Sequence, residues 1–566
     1  MDAAKHADGG GGLLFNSVEF FVFLAIVYAL YRLLPLRGQN WLLLVAGYVF
    51  YGWWDPRFLF LIAFSTTVDF WIGSMLGRGM VPVQQRKIAS AFILSAALAL
   101  LNFNWPVLLH GNLALVWAPT QLGLATLAGT AVVVLLANLT HALISAMDPD
   151  ARRRMLLFIT VGVNLGFLGI FKYCNFFIAT ARPALAALGL DPDRFHLDVI
   201  LPVGISFYTF QSLSYTLDAA RGRVKAIHRF WDFALFVAFF PPMVAGPIER
   251  ARHLLPQLLN ERKIRLGQSM HGVVLILLGL VKKVAIADGL APSVGAIYNS
   301  SGVVSGSDVA LATLLFAFQI LCDFSGYSDI ARGVSKLLGI ELMVNFDLPY
   351  LSRNPSEFWR RWHISLSSWL RDYLYIGLGS NRKGEARTYV NLMATMVLGG
   401  LWHGAAANYI LWGGYQGTLL CTHRALTDKR DTLPTGKAAV ADHAPGRYAD
   451  LKVGFGTAVS IAVFFLFVCY GWLLFRAHSF SQIETFTAAL AGFAPHVPSV
   501  LPKPPLSALA GLMLYIPLQF IEWHDGRREC FRFWPLPLQG ALYAAFLFIL
   551  AMGTSNAPAQ FIYFQF

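Results

Sequence analysis

Charge is what this chain has least of. Only 13% of its 566 residues are Asp, Glu, Lys or Arg, about half the roughly 25% of an ordinary soluble domain. That shortage excludes a chain built mainly of water-soluble domains. Cysteine is also scarce. The five present, Cys174, Cys322, Cys421, Cys469 and Cys530, form no CxxC pair and mostly lie in or beside apolar runs. A disulfide framework and a cysteine zinc cluster are therefore excluded, and inert membrane-embedded thiols are expected. The signatures of many soluble enzymes are missing too: there is no HExxH, no GxSxG and no GxxxxGK[ST]. One SxxK match, Ser380 to Lys383, lies in a polar turn beside Gly379 and Gly384 and reads as chance. No internal repeat and no low-complexity tract is present, and no metal site is expected.

Apolar residues fill the space that charge leaves. The chain is 56% hydrophobic and 14% aromatic, with a mean hydropathy of +0.56. This is the composition of an integral membrane protein. The net charge of +13 sits between the apolar runs, as cytoplasmic loops require, so nucleic-acid binding is not expected. The run from Phe15 to Leu34 contains Glu19 and is followed by Arg37 rather than a small-residue cleavage site. It is expected to be a first transmembrane helix with its C-terminal end in the cytoplasm.

Runs compatible with spans cover 15–34, 40–54, 57–77, 88–102, 121–146, 155–180, 229–247, 269–288, 308–322, 389–404, 406–421, 455–476, 505–522 and 536–553. The expected fold is all-α: a polytopic bundle of about 11–14 spans, some re-entrant or interfacial. Residues 198–217 carry Pro202, Gly204 and a row of hydroxyls, and 240–250 holds three prolines. Irregular backbone at membrane depth must be buried in protein or line a cavity. These segments are either such breaks around an internal chamber or ordinary loops. Residues 103–120 fit a loop or an interfacial helix. The stretches 422–453 and 493–506 read as polar or proline-rich loops.

Polar groups inside apolar runs are costly and tend to be functional. His403 sits in VLGGLWHGAAANYILWGGYQG, 397–417, among glycines and alanines. A neutral imidazole there can take a proton from a hydroxyl, or it can be a core histidine bonded to a carbonyl. Asp323, Ser325, Tyr327, Ser328 and Asp329 crowd the end of another run, either lining a cavity or holding a helix break. In FWRRWHISLSSWLRDYLY, 358–375, Phe358, Trp362, Leu366, Trp369 and Tyr373 recur at helical spacing, with Arg360 and Arg371 roughly opposite. This pattern predicts an amphipathic helix in the cytoplasmic membrane interface, with His363 off the stripe and able to point inward. Anchoring to lipid headgroups explains its arginines.

NFDLPYLSRNPSEFWRRWHISLSSWLRDYLYIGLGSNRKG followed by the WHG segment resembles the core of the membrane-bound O-acyltransferases. LPVGISFYTFQSLSYTLD (201–218), FPPMVAGPIERARHLLPQL (240–258) and DFSGYSDIA (323–331) resemble the bacterial branch that contains the alginate O-acetyltransferase membrane subunit. The resemblance implies one membrane-embedded domain over 1–566 with a central tunnel, a motif-rich core at 155–421, a polar loop at 422–453 and C-terminal transmembrane helices over 454–566. It also implies acyl transfer from a cytoplasmic thioester, acetyl-CoA or an acyl carrier, to a hydroxyl, with no tightly bound cofactor. Carried over by motif, His403 is the principal catalytic residue and His363 the second. Asn345, Asp323, Ser325, Tyr327, Trp402, Arg360 and Arg361 are the candidate substrate-binding set. The implied setting is the bacterial inner membrane, with a periplasmic acetyltransferase partner and an exported polysaccharide as acceptor. D-alanyl or peptidoglycan acyl transfer, and a non-catalytic transporter, are the alternatives.

Overall fold

The computed structural model describes residues 13–105, 117–191, 193, 197, 201–427, 454–493, 497–554 and 562. Parts of four expected loops or breaks, 106–116, 198–200, 428–453 and 494–496, lie outside the described residues. Among the described residues the regular secondary structure is helical, apart from one isolated bridge between Phe103 and Trp117. Among the described residues seven helices are long and apolar enough to cross a membrane: Pro56–Arg78, Gln121–Ala146, Pro149–Ala187, Gly306–Leu337, Phe455–Arg476, Leu506–Asp525 and Leu536–Gly553. The other expected spans are helical as well, but in shorter, broken or less apolar pieces. The chain is an all-α, multi-pass membrane protein.

Two compact units form. The first comprises Met1–Val244, Ile248–Gln268 and Ser335–Glu341. Its helices are α1 (Val18–Leu33), α2 (Leu36–Gly52), α3 (Leu59–Arg78), α4 (Val83–Leu101), α5 (Gln121–Ala146), α6 (Pro149–Leu168), α7 (Cys174–Ala187), α8 (Ile205–Ala220), α9 (Phe230–Ala238) and α10 (Ala251–Leu259). Asp69 of α3 is fully buried. It accepts hydrogen bonds from Thr160 (2.8 Å) and Asn164 (3.0 Å) of α6 and from Ser212 of α8. A carboxylate that lipid cannot solvate thus fastens three helices through side-chain donors. The hydroxyl row after Pro202 lies on α8, which begins at Gly204 with φ 73°. The expected break is therefore confined to the residues just before it. The prolines of 240–250 do interrupt the helix, leaving a single turn at Phe240–Met243, and the whole stretch is buried.

The second unit comprises Ala245–Pro247, Ser269–Val334 and Leu342–Phe566. Its helices are α11 (Leu266–Leu280), α12 (Asp288–Tyr298), α13 (Gly306–Leu337), α14 (Pro355–Arg361), α15 (Ile364–Trp369), α16 (Glu385–His403), α17 (Ala407–Leu426), α18 (Phe455–Arg476), α19 (Phe480–Leu490), α20 (Leu506–Asp525) and α21 (Leu536–Gly553). A π-helical stretch, Val281–Ala287, joins α11 to α12 and carries Lys282 and Lys283.

The 358–375 stretch departs from the single interfacial helix expected. It is two short helices, α14 and α15, followed by a π-helical turn over Leu370–Tyr375. The break falls at His363, whose φ of 42° lies in the left-handed region. The aromatic stripe faces protein: Phe358, Trp362, Leu366 and Trp369 are all buried, and Trp362 meets Trp472 of α18 at 4.7 Å between ring centroids. Helical spacing placed these rings on one face, but that face packs into the core of the second unit.

Candidate active site

His403 is the last residue of α16, and His363 sits at the turn between α14 and α15. Forty residues apart in sequence, both are buried, and their ring centroids lie 6.5 Å apart. Glycines place the first of them. α16 and α17 form a close hairpin in which a Cβ on Gly400 would stand 2.2 Å from the Tyr409 carbonyl oxygen. The small residues noted around His403 therefore serve helix contact. Three aromatic rings surround the imidazole edge-on: Trp402 at 5.0 Å, Trp412 of α17 at 5.2 Å and Phe475 of α18 at 5.5 Å.

His363 packs edge-on against Phe324 of α13 at 4.7 Å. Its Nδ1 lies 3.0 Å from Oδ1 of Asn345, which also accepts the Ser365 hydroxyl at 2.9 Å. Asn345 in turn donates from Nδ2 to Ser328 of α13 at 3.3 Å. Burial pushes the His363 imidazole down to about 3, so it is neutral across the physiological range. Two buried imidazoles with aromatic rings packed against them form a centre able to accept and return a proton.

The other expected site residues are distributed around this pair. Trp402 contacts both histidines, meeting His363 at 5.9 Å. Asp323 is tied into an ion pair with Lys283 (2.7 Å) and accepts the Ile562 N–H (2.7 Å). Arg361 is buried and paired with Glu357. Burial pushes the Glu357 carboxyl up, but Arg361 and Arg353 outweigh it and hold the group below the usual range. Arg360 is exposed, and Arg371 pairs with Asp372 at 2.6 Å. Tyr327 is buried on α13.

Ser325 lines a separate cavity of about 50 Å³, together with Lys282, Asp329, Arg332, Asp347 and Glu529. That space is large enough for a few waters. Lys282 and Arg332 both bind Asp329, at 2.7 and 3.2 Å. Phe346 links the cavity to the histidines: it lines the cavity and also stacks on His363 at 6.5 Å. The sequence reading missed Ser365, whose one signal is a hydroxyl two residues after the histidine. It also missed Trp412 and Phe475, which carry no signal because aromatic residues are common in apolar runs.

Comparison with known proteins identifies the family. The MBOAT, membrane-bound O-acyltransferase family model matches residues 205–466, a segment that contains both histidines. The chain is 36% identical over 526 residues to the probable alginate O-acetylase AlgI of Azotobacter vinelandii, covering 93% of this chain and 86% of the relative. It is 36% identical over 517 residues to the protein of the same name in Pseudomonas putida, covering 91% and 88%. Similarity to the peptidoglycan O-acetyltransferase of Helicobacter pylori is 36% over 309 residues, covering 49% of this chain and 57% of the relative. With identity of this degree over more than nine-tenths of its length, and two buried histidines inside the matched segment, the chain belongs to the membrane-bound O-acyltransferase family and is a multi-pass membrane O-acyltransferase.

Proposed function

We propose that the protein moves an acetyl group from a cytoplasmic thioester across or within the membrane for O-acetylation of an exported polysaccharide, with His403 as the base at the acceptor hydroxyl. The observation that carries this reading is the placement of His403 and His363 with ring centroids 6.5 Å apart, both buried among aromatic side chains. In the step proposed, His403 takes the proton of the acceptor hydroxyl as its oxygen attacks the thioester carbonyl carbon. The tetrahedral intermediate collapses, the C–S bond breaks, and the leaving thiolate takes the proton back from His403. The products are an ester and a free thiol, so no metal or redox partner is required for balance. His363 is the second polar group at the reacting centre. Exposed Arg360 is suited to meet phosphates of the donor.

The acceptor class rests on coverage. The match to proteins named as alginate O-acetylases spans 93% of this chain, against 49% for the peptidoglycan O-acetyltransferase. Inner-membrane location, a cytoplasmic α14–α15 face and a periplasmic acetyltransferase partner complete the proposal. The test is His403→Ala, with acetyl esters measured on the purified surface polymer and thiol release measured in reconstituted vesicles supplied with acetyl-CoA and a polysaccharide acceptor. Normal abundance with loss of both signals is expected. Unchanged ester content rules out His403 as essential, and unchanged thiol release removes it from the chemical step.

A further inference from the structure

We infer that Asn345 is a positioning residue for acyl transfer, locking His363 in the tautomer that carries its proton on Nδ1 and its lone pair on Nε2. The inference rests on the reading of the histidine pair as the reacting centre.

The argument begins with what the Asn345 side chain must present. Its Oδ1 meets the backbone N–H of Ser365 at 3.3 Å, the Ser365 hydroxyl at 2.9 Å and His363 Nδ1 at 3.0 Å. A backbone N–H can only donate, so the atom it meets is the carbonyl oxygen of the amide. A carbonyl oxygen can only accept, so the facing Nδ1 carries the hydrogen. The amide nitrogen points the other way, donating to Ser328, so a flipped amide would set donor against donor at Ser365. The main chain closes the arrangement: Ile364 N–H donates to the Asn345 carbonyl at 2.9 Å, and Asp347 N–H to the Arg361 carbonyl at 2.9 Å.

The backbone shows how firmly this place is held. Among the described residues four non-glycines have positive φ, and three of them are Leu348 (51°), His363 (42°) and Glu529 (45°). Leu348 follows Asn345 by three residues. Glu529 follows Arg528, which grips Asp347 at 3.0 Å. Left-handed backbone of this kind persists where surrounding contacts over-determine it, and it gathers at functional sites. The charges on the elements packed around His363 are themselves paired: Asp323 with Lys283, Asp329 with Lys282 and Arg332, Asp347 with Arg528, and Arg361 with Glu357. The titratable ring that meets His363 is His403. The neutrality that burial imposes on His363 agrees with a single fixed tautomer.

Two near-isosteric variants test the lock. Asn345→Asp keeps every acceptor but adds a charge beside Nδ1–H, which favours the imidazolium. The acid limb of its kcat profile is expected to move up by about 1–3 pH units, with activity retained at alkaline pH. Asn345→Leu removes the acceptor. Its kcat is expected to fall by about 10²–10⁴-fold at every pH with the acetyl-CoA KM unchanged, the upper end being the loss when a tautomer-fixing group is removed elsewhere. A Leu variant with wild-type kcat, or an Asp variant with a wild-type pH profile, overturns the inference. If the Leu variant fails to fold, the Asp profile decides alone. His403→Ala runs beside them: activity there refutes the histidine-pair reading, whereas its loss with unaltered Asn345 variants refutes only the lock.

Discussion

The hairpin that carries His403 offers a test of placement without touching the histidine. A Cβ on Gly400 would lie 2.2 Å from the Tyr409 carbonyl oxygen, and one on Gly413 would lie 2.5 Å from the Met396 carbonyl oxygen. Ordinary contact begins near 3.4 Å, so Gly400→Ala inserts a methyl about 1 Å too close. The obstacle is helix backbone, and Tyr409 is itself packed on Phe475 at 5.0 Å. The hairpin must therefore open rather than a side chain swing aside. Overpacking of this kind costs about 1–3 kcal/mol. His403 lies three residues further along α16, and a displacement of up to about 1 Å there costs on the order of 10²-fold in rate. Gly414→Ala is the control, since nothing lies within 4 Å of its Cβ; on helix propensity alone it gains up to about 1 kcal/mol. Initial rates of thiol release from acetyl-CoA in reconstituted vesicles supplied with a polysaccharide acceptor, with thermal midpoints in detergent, compare the two. Equal rates for Gly400→Ala and Gly414→Ala would refute the claim that this contact places His403.

Other perturbations probe the frame around the site. Asp69→Ala strands the donors of Thr160, Asn164 and Ser212; a loss of about 1–3 kcal/mol per buried group should lower the thermal midpoint well below that of Asp69→Asn. Lys283 joins Asp288 at 2.8 Å and Asp323 at 2.7 Å. Lys283→Met leaves two buried carboxylates uncompensated at about 3–5 kcal/mol, and adding Asp288→Asn and Asp323→Asn should restore most of the lost stability in detergent melts. For pH, the folded protein favours neutral His363, whose ionisation burial lowers from 6.5 to about 3. The unfolded chain protonates first, so this stability is complete above pH 6.5 and declines as pH falls through the window down to about 3. His363→Gln should flatten the melting midpoint across that window, and an unchanged slope would assign the acid sensitivity to other groups.

Much of the site was readable in the chain. His403 drew notice as an ionisable residue in an apolar run, and the motifs around 322–375 and 397–417 marked the family. Partnership was not readable. Arg361 and Asp323 looked like substrate-facing charges, yet they are bound to Glu357 and Lys283. Lys282 and Lys283 lay inside a run counted as apolar, although each holds a carboxylate of α13. The aromatic stripe of 358–375 had helical spacing, and spacing alone cannot show that the helix turns at His363 to bring Nδ1 to Asn345.

By itself the sequence determined that this is a helical membrane protein of the acyltransferase family. Hydropathy and the order of motifs belong to the chain and survive any arrangement of its helices. The tertiary structure decided which polar groups meet: Asn345 with His363, His363 with His403 and Lys283 with Asp323. Where lipid offers no solvent, a buried charge or imidazole takes its state from whatever neighbour the packing supplies. Those neighbours stand 18 to 40 residues away along the chain, and only helix packing brings them together.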